Sequence, residues 1–179
     1  MARHIALLRG INVGGHNLVA MARLREMMEG LGYHDVITHL QSGNVVFTAK
    51  AAAPAGEIRK IEAELLASFG FPVRVVVRTR SELATVAGDN PLAEIASDPS
   101  RMMVAFLSSA PDPARLKDID SAVFKPDLFS IRGREIYLWY PQGAHATKLT
   151  NTLFEKRLQV TATTRNWNTV TKLLALAGG

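Results

Sequence analysis

The sequence predicts an α+β fold: a tandem pair of ferredoxin-like halves, each a split βαβ unit with a mainly antiparallel sheet, and an extra C-terminal helix. Three observations predict it. The order strand, helix, strand, strand, helix, strand is read along residues 3–79, and nearly the same order starts again at Met102. In each half a short turn cluster, Gln41-Ser42-Gly43-Asn44 or Arg132-Gly133-Arg134, joins two β-rich runs as a hairpin. The breakers Gly88-Asp89-Asn90-Pro91 divide the chain into halves at 1–90 and 91–179.

Residues 3–9, RHIALLR, read as a buried strand. Leu24, Met27, Met28 and Leu31 then recur at the spacing that lines one face of a helix, which Gly32 ends. Val36–Leu40 and Val45–Phe47 form the first hairpin. A helix with Pro54 near its start carries Ile58, Ile61, Leu65 and Phe69 on one face, and Arg74–Thr79 is the fourth strand. Ser81–Ala87 is a helical connector. In the second half Met102–Leu107 is a strand, Pro113–Ala122 a short helix, Asp127–Ile131 and Glu135–Tyr140 a hairpin, and Lys148–Leu158 a helix. Gln159–Thr163 alternates enough for a last strand, and the final helix places Val170, Leu173, Leu174 and Ala177 on one face.

With 179 residues and 47% hydrophobic content the chain can bury a sizeable core. It has no cysteine, which excludes disulfides and thiolate metal sites and permits a reducing compartment. The first strand starts at Arg3, leaving no room for a signal sequence, and no apolar run approaches the ~20 residues of a membrane span. The expected location is cytoplasmic. The net charge of +5 is diffuse, with ten basic and eight acidic residues through Asn90 and eleven and eight after it, so it favours anionic partners only weakly.

A split βαβ unit brings the exit of its first strand and its first hairpin to the same end of the sheet. The stretches RGINVGGHN (9–17) and QSGN (41–44) are therefore expected to be neighbours, gathering Arg9, Asn12, Gly14, Gly15, His16, Asn17, Gln41, Ser42 and Asn44. Gly10 and Gly15 keep the glycine spacing of a Walker A loop, but His16 and Asn17 stand where its lysine and hydroxyl would be. The fixed charge and the metal-binding hydroxyl of nucleotide hydrolysis are both absent. What remains is a Gly-rich turn flanked by Arg9 and entering a helix N-terminus, whose free N–H groups and dipole favour an anion. The alternative is a long turn with positive φ angles.

Thr164-Arg165-Asn166-Trp167-Asn168-Thr169 forms a second constellation, with Thr164 or Asn166 as N-cap of the last helix. Arg165 and Asn166 are candidate ligand contacts; Trp167 reads as a packing anchor ahead of a base-stacking platform. Thr147-Lys148-Leu149-Thr150 is a further capped helix start. The five histidines show no metal-ligand spacing, no cofactor is implied, and Asp118 and Asp120 read as solvent-facing.

LLRGINVGGHN (7–17), QSGNVVF (41–47), Asn90-Pro91, IYLWYP (136–141) and TRNWNTV (164–170) together resemble the bacterial family catalogued as domain of unknown function 1697. The resemblance spans nearly the whole chain. It implies a stand-alone intracellular α+β protein and transfers no functional residue. The family pattern carries lysine where this chain has His16.

Three functions follow from these residues. The first is binding of a phosphorylated or anionic ligand, a nucleotide or nucleic acid, at the loop and hairpin end. For nucleic acid, the aromatic candidates are Phe106, Tyr137, Trp139 and Tyr140, though a seam between the two sheets, each with an open face to cover, is the favoured expectation for them. The second is an enzyme acting on a small polar or phosphorylated metabolite, with His16 as general acid or base. The third is a scaffold without a small ligand. No membrane partner is expected, and the oligomeric state is left open.

Overall fold

The long apolar runs of the sequence become the inner strands of two sheets. In the computed structural model, which describes residues 1–50, 54–117 and 119–178, the first sheet contains β1 (Ala2–Leu8), β2 (His34–His39), β3 (Asn44–Ala49) and β4 (Val75–Thr79) in the order β2-β3-β1-β4. Helices α1 (Met21–Gly30) and α2 (Pro54–Phe69) form the crossovers, and α3 (Arg80–Gly88) follows. The second sheet contains β5 (Met102–Leu107), β6 (Leu128–Arg132), β7 (Glu135–Trp139) and β8 (Ala162–Asn166) in the order β6-β7-β5-β8. Its connections contain the single turn α4 (Pro113–Leu116) and α5 (Asn151–Leu158), and α6 (Trp167–Gly178) follows β8. All neighbouring strands are antiparallel. The molecule is thus a mixed α+β protein with two four-stranded antiparallel sheets and six α-helices among the described residues. None of these helices is long and apolar enough to cross a membrane.

The chain divides into two compact units, Met1–Ala84 with Lys172–Gly179, and Thr85–Thr171. In the first, Ala6, Leu8, Val45, Phe47, Val75 and Val77 present alternate positions of three strands to Leu24, Met27 and Met28 of α1 and to Ile61 and Leu65 of α2. Each of these side chains larger than alanine, fully buried, contributes roughly 1.5–3 kcal/mol. The predicted helical faces are found, with Leu31, Ile58 and Phe69 at the half-buried margin. The C-terminal segment of α6 is tied to this unit by Arg3, whose guanidinium donates to the carbonyl of Leu176 at 3.1 Å and to Thr48 Oγ1 at 3.2 Å. In the second unit Ala105, Leu107, Ile136, Leu138 and Tyr140 pack with Leu149, Phe154 and Leu158.

Three elements depart furthest from the sequence reading. The last strand is Ala162–Asn166, because Gln159 takes a left-handed conformation (φ 57°) to end α5, and pairing with β5 runs from Leu107↔Ala162 to Met103↔Asn166. The segment read as one helix over Pro113–Ala122 is α4 and a separate 3-10 turn at Ser121–Phe124. Asp112 and Asp120 cap these by accepting from the N–H groups of Ala114 and Ala122, so Asp120 works as a cap; Asp118 lies outside the described residues. Helix α5 starts at Asn151 with Thr150 as its N-cap, later than Lys148.

Candidate functional site

At the exit of β1 the backbone leaves the sheet beside the β2–β3 turn. Leu8 N–H donates to the Gly43 carbonyl at 2.9 Å, and Arg9 N–H to that of Arg74 at 2.8 Å. The first loop and the first hairpin turn therefore lie together. Asn12 joins them: its carboxamide donates to the carbonyls of Gln41 (2.8 Å) and Val19 (2.9 Å) and accepts from Val19 N–H (2.8 Å). Gly43 brings the two segments into direct packing. A Cβ there would stand 2.6 Å from Ile11 Cδ1 and 2.8 Å from Leu8 Cβ, and its φ of +79° suits glycine.

Within the loop, Asn12 N–H donates to the Asn17 carbonyl (3.1 Å) and Asn17 Nδ2 to the Gly10 carbonyl (3.2 Å). His16 N–H donates to the Val13 carbonyl (3.0 Å), closing a tight turn with Gly14 and Gly15 at its centre, φ +57° and +78°. These two glycines and His16 are exposed, whereas Arg9 is half-buried. The chain runs on through Leu18 and the buried Val19 before α1 begins at Met21, so the glycines form a tip and do not themselves open the helix. The start of α1 has Ala20 at the N-cap position and no side-chain cap.

The candidate residues thus separate by task. Asn12 and Asn17 fasten the loop. Asn44 is fully buried and donates to the His39 carbonyl (2.7 Å) and Ser42 Oγ (3.1 Å), fastening the turn. Gly14, Gly15, His16, Gln41 and Ser42 face solvent. Arg165 and Asn166 belong to the other unit and lie in β8. Arg165 is buried and donates to Thr163 Oγ1 (2.7 Å) and the Thr164 carbonyl (2.9 Å). Asn166 donates to the Ser100 carbonyl (2.8 Å) and accepts from Asn168 N–H (2.9 Å), acting as the cap of α6. Leu40 is a feature that sequence reasoning missed. It is held at φ 59° in the hairpin turn with its side chain half exposed, and leucine carries no sequence signal for a left-handed position.

Phe106, Tyr137, Trp139 and Tyr140 are buried, at most 8% exposed, and offer no open stacking platform. All three tyrosines are buried and titrate high. Tyr33 donates to the Glu57 carboxylate and is raised by burial and then by that neighbour. Tyr137, which donates to the Val86 carbonyl at 2.9 Å, is pushed up to about 12 by burial and then by Glu135 and Asp89. Tyr140 is raised by burial and then by Asp127. Among the described residues no group of three or more His, Cys, Asp or Glu side chains gathers to hold a metal ion.

The model of the family described as "Protein of unknown function (DUF1697)" matches residues 1–137. None of the curated proteins compared matches the chain. Among solved structures, the conserved bacterial protein SP0830 from Streptococcus pneumoniae is similar over 98% of both chains, with a TM-score of 0.76 at 23% identity. That likeness is one of fold.

Proposed function

The chain belongs to the DUF1697 family of proteins of unknown function, and for this member we propose binding of a phosphorylated or otherwise anionic ligand at the loop and turn end of the first sheet. The observation that carries the reading is the Asn12 carboxamide, whose hydrogen bond to the Gln41 carbonyl ties the loop to the turn and whose two bonds to Val19 brace the loop, under an exposed Gly14–Gly15 tip. A tip mounted in this way loses little conformational freedom when a ligand arrives. Its exposed glycine backbone, the imidazole of His16, the charge of Arg9 and the uncapped start of α1 all favour an anion. Leu40, strained in the same turn, adds support, since backbone strain concentrates at functional sites. Arg165 and Asn166 are left out of this site because their polar atoms already serve β8 and the cap of α6.

The test is titration of the 15N-labelled protein with inorganic phosphate and with ADP at low salt. Saturable shifts of the Gly14 and Gly15 amide peaks, weakened at least tenfold by Arg9→Gln with His16→Gln, are the expected result. Unmoved glycine peaks with both probes would refute the reading.

For the fold we infer that each sheet with its helices is a ferredoxin-like half, 1–90 and 91–179. In support, both sheets place their first strand between their third and fourth, with the second at the edge.

A further inference from the structure

Two stretches far apart in sequence, the turn around Asn90 and the start of α6, line one cavity of about 220 Å3 within the Thr85–Thr171 unit. The turn is internally braced. Asn90 Oδ1 accepts from Leu92 N–H at 2.9 Å, Ala96 N–H donates to the Leu92 carbonyl at 2.8 Å, and the Leu92 side chain is buried. Trp167 is held by its neighbour, since Asn166 is bonded both to the Ser100 carbonyl and to Asn168 N–H. The small side chains of Ala87, Ala93 and Ala96 leave the space open, and the Met102 thioether and the half-buried Trp167 indole supply polarizable surface.

No charged side chain lines this cavity, so it does not suit a phosphate. Among its side chains the donors are the Asn90 Nδ2 and the Trp167 indole N–H, neither of which makes a hydrogen bond among the described residues, while Asn90 Oδ1 already accepts from Leu92 N–H. The volume lies below the roughly 300 Å3 at which pockets for drug-sized ligands begin, which restricts the occupant to about one ring system. We propose that this cavity binds an uncharged planar heterocycle of the nucleobase class, stacked on Trp167 and held through its ring nitrogen or carbonyl acceptors by the Asn90 amide. The site is independent of the anion reading at the first sheet.

The chain has two tryptophans, so the 15N-labelled protein gives two indole N–H peaks, and Trp139→Phe identifies that of Trp167. Adenine is expected to shift the Trp167 peak saturably in the millimolar range and to leave the peak of the buried Trp139 in place. Ala93→Leu, which fills the cavity, is expected to weaken this at least tenfold. Benzene, planar but without an acceptor, tests the same point in the unaltered protein and is expected to bind at least tenfold more weakly than adenine. The proposal is overturned if neither adenine nor cytosine moves the Trp167 peak, if a folded Ala93→Leu protein responds unchanged, or if benzene equals adenine.

Discussion

Gly43 and Gly15 both have positive φ, yet what surrounds them differs. Around Gly15 a Cβ meets nothing within 4 Å, so Gly15→Ala bears only the backbone cost of about 1 kcal/mol. At Gly43 the same methyl meets Ile11 and Leu8 inside van der Waals contact, and overpacking adds to the backbone term. Gly43→Ala is expected to lose roughly 3 kcal/mol and Gly15→Ala about 1, read as a difference in urea midpoints at constant m. Equal losses would mean that loop and turn are not packed together. The glycines and asparagines of this end were legible as turn chemistry. The task of each asparagine was not: Asn12, Asn17 and Asn44 read equally well as ligand groups, because a carboxamide is satisfied by whichever partner the fold brings within about 3 Å.

Among the elements, α1 is well specified along its apolar face and poorly specified at its start. Ala20 has the extended backbone of an N-cap but no side chain able to accept from the first turn, and that turn has no acidic residue. Ala20→Asp is expected to stabilise the protein by about 1 kcal/mol in chemical denaturation. If this helix start takes part in anion binding, the same substitution weakens phosphate binding at least tenfold; a stabilised variant with undiminished phosphate binding would remove α1 from the site. Elements with sustained periodicity, such as α2 with Ile61 and Leu65, were legible because burial of one face governs both sequence and structure. Strand β8 was legible in kind but displaced, since its ends follow from pairing with β5 and from the turn at Gln159.

At the scale of the whole molecule, the three tyrosines, in two units, connect packing to pH. Each holds its proton in the folded state above the ordinary value near 10, Tyr137 up to about 12. Below about pH 10 folded and unfolded chains both keep these protons, and this contribution to stability is intact. Above it the unfolded chain releases them first, so stability falls by up to about 1.4 kcal/mol per pH unit for each tyrosine. Tyrosinate absorbance is therefore expected to rise cooperatively with loss of the circular dichroism signal, above pH 10. Gradual ionisation near pH 10 in a folded protein would contradict this burial. The sequence by itself determined the class of fold, the order of strands and helices, and the faces that form the cores. Those properties follow from local periodicity and turn chemistry, which act between residues close in the chain. Only the tertiary structure decided that Gly43 packs on Ile11, that Asn12 fastens the loop to the turn, and that Asn90 and Trp167 line one cavity. Each of these joins residues distant in sequence, and such a contact depends on how both segments are folded, which neither segment encodes alone.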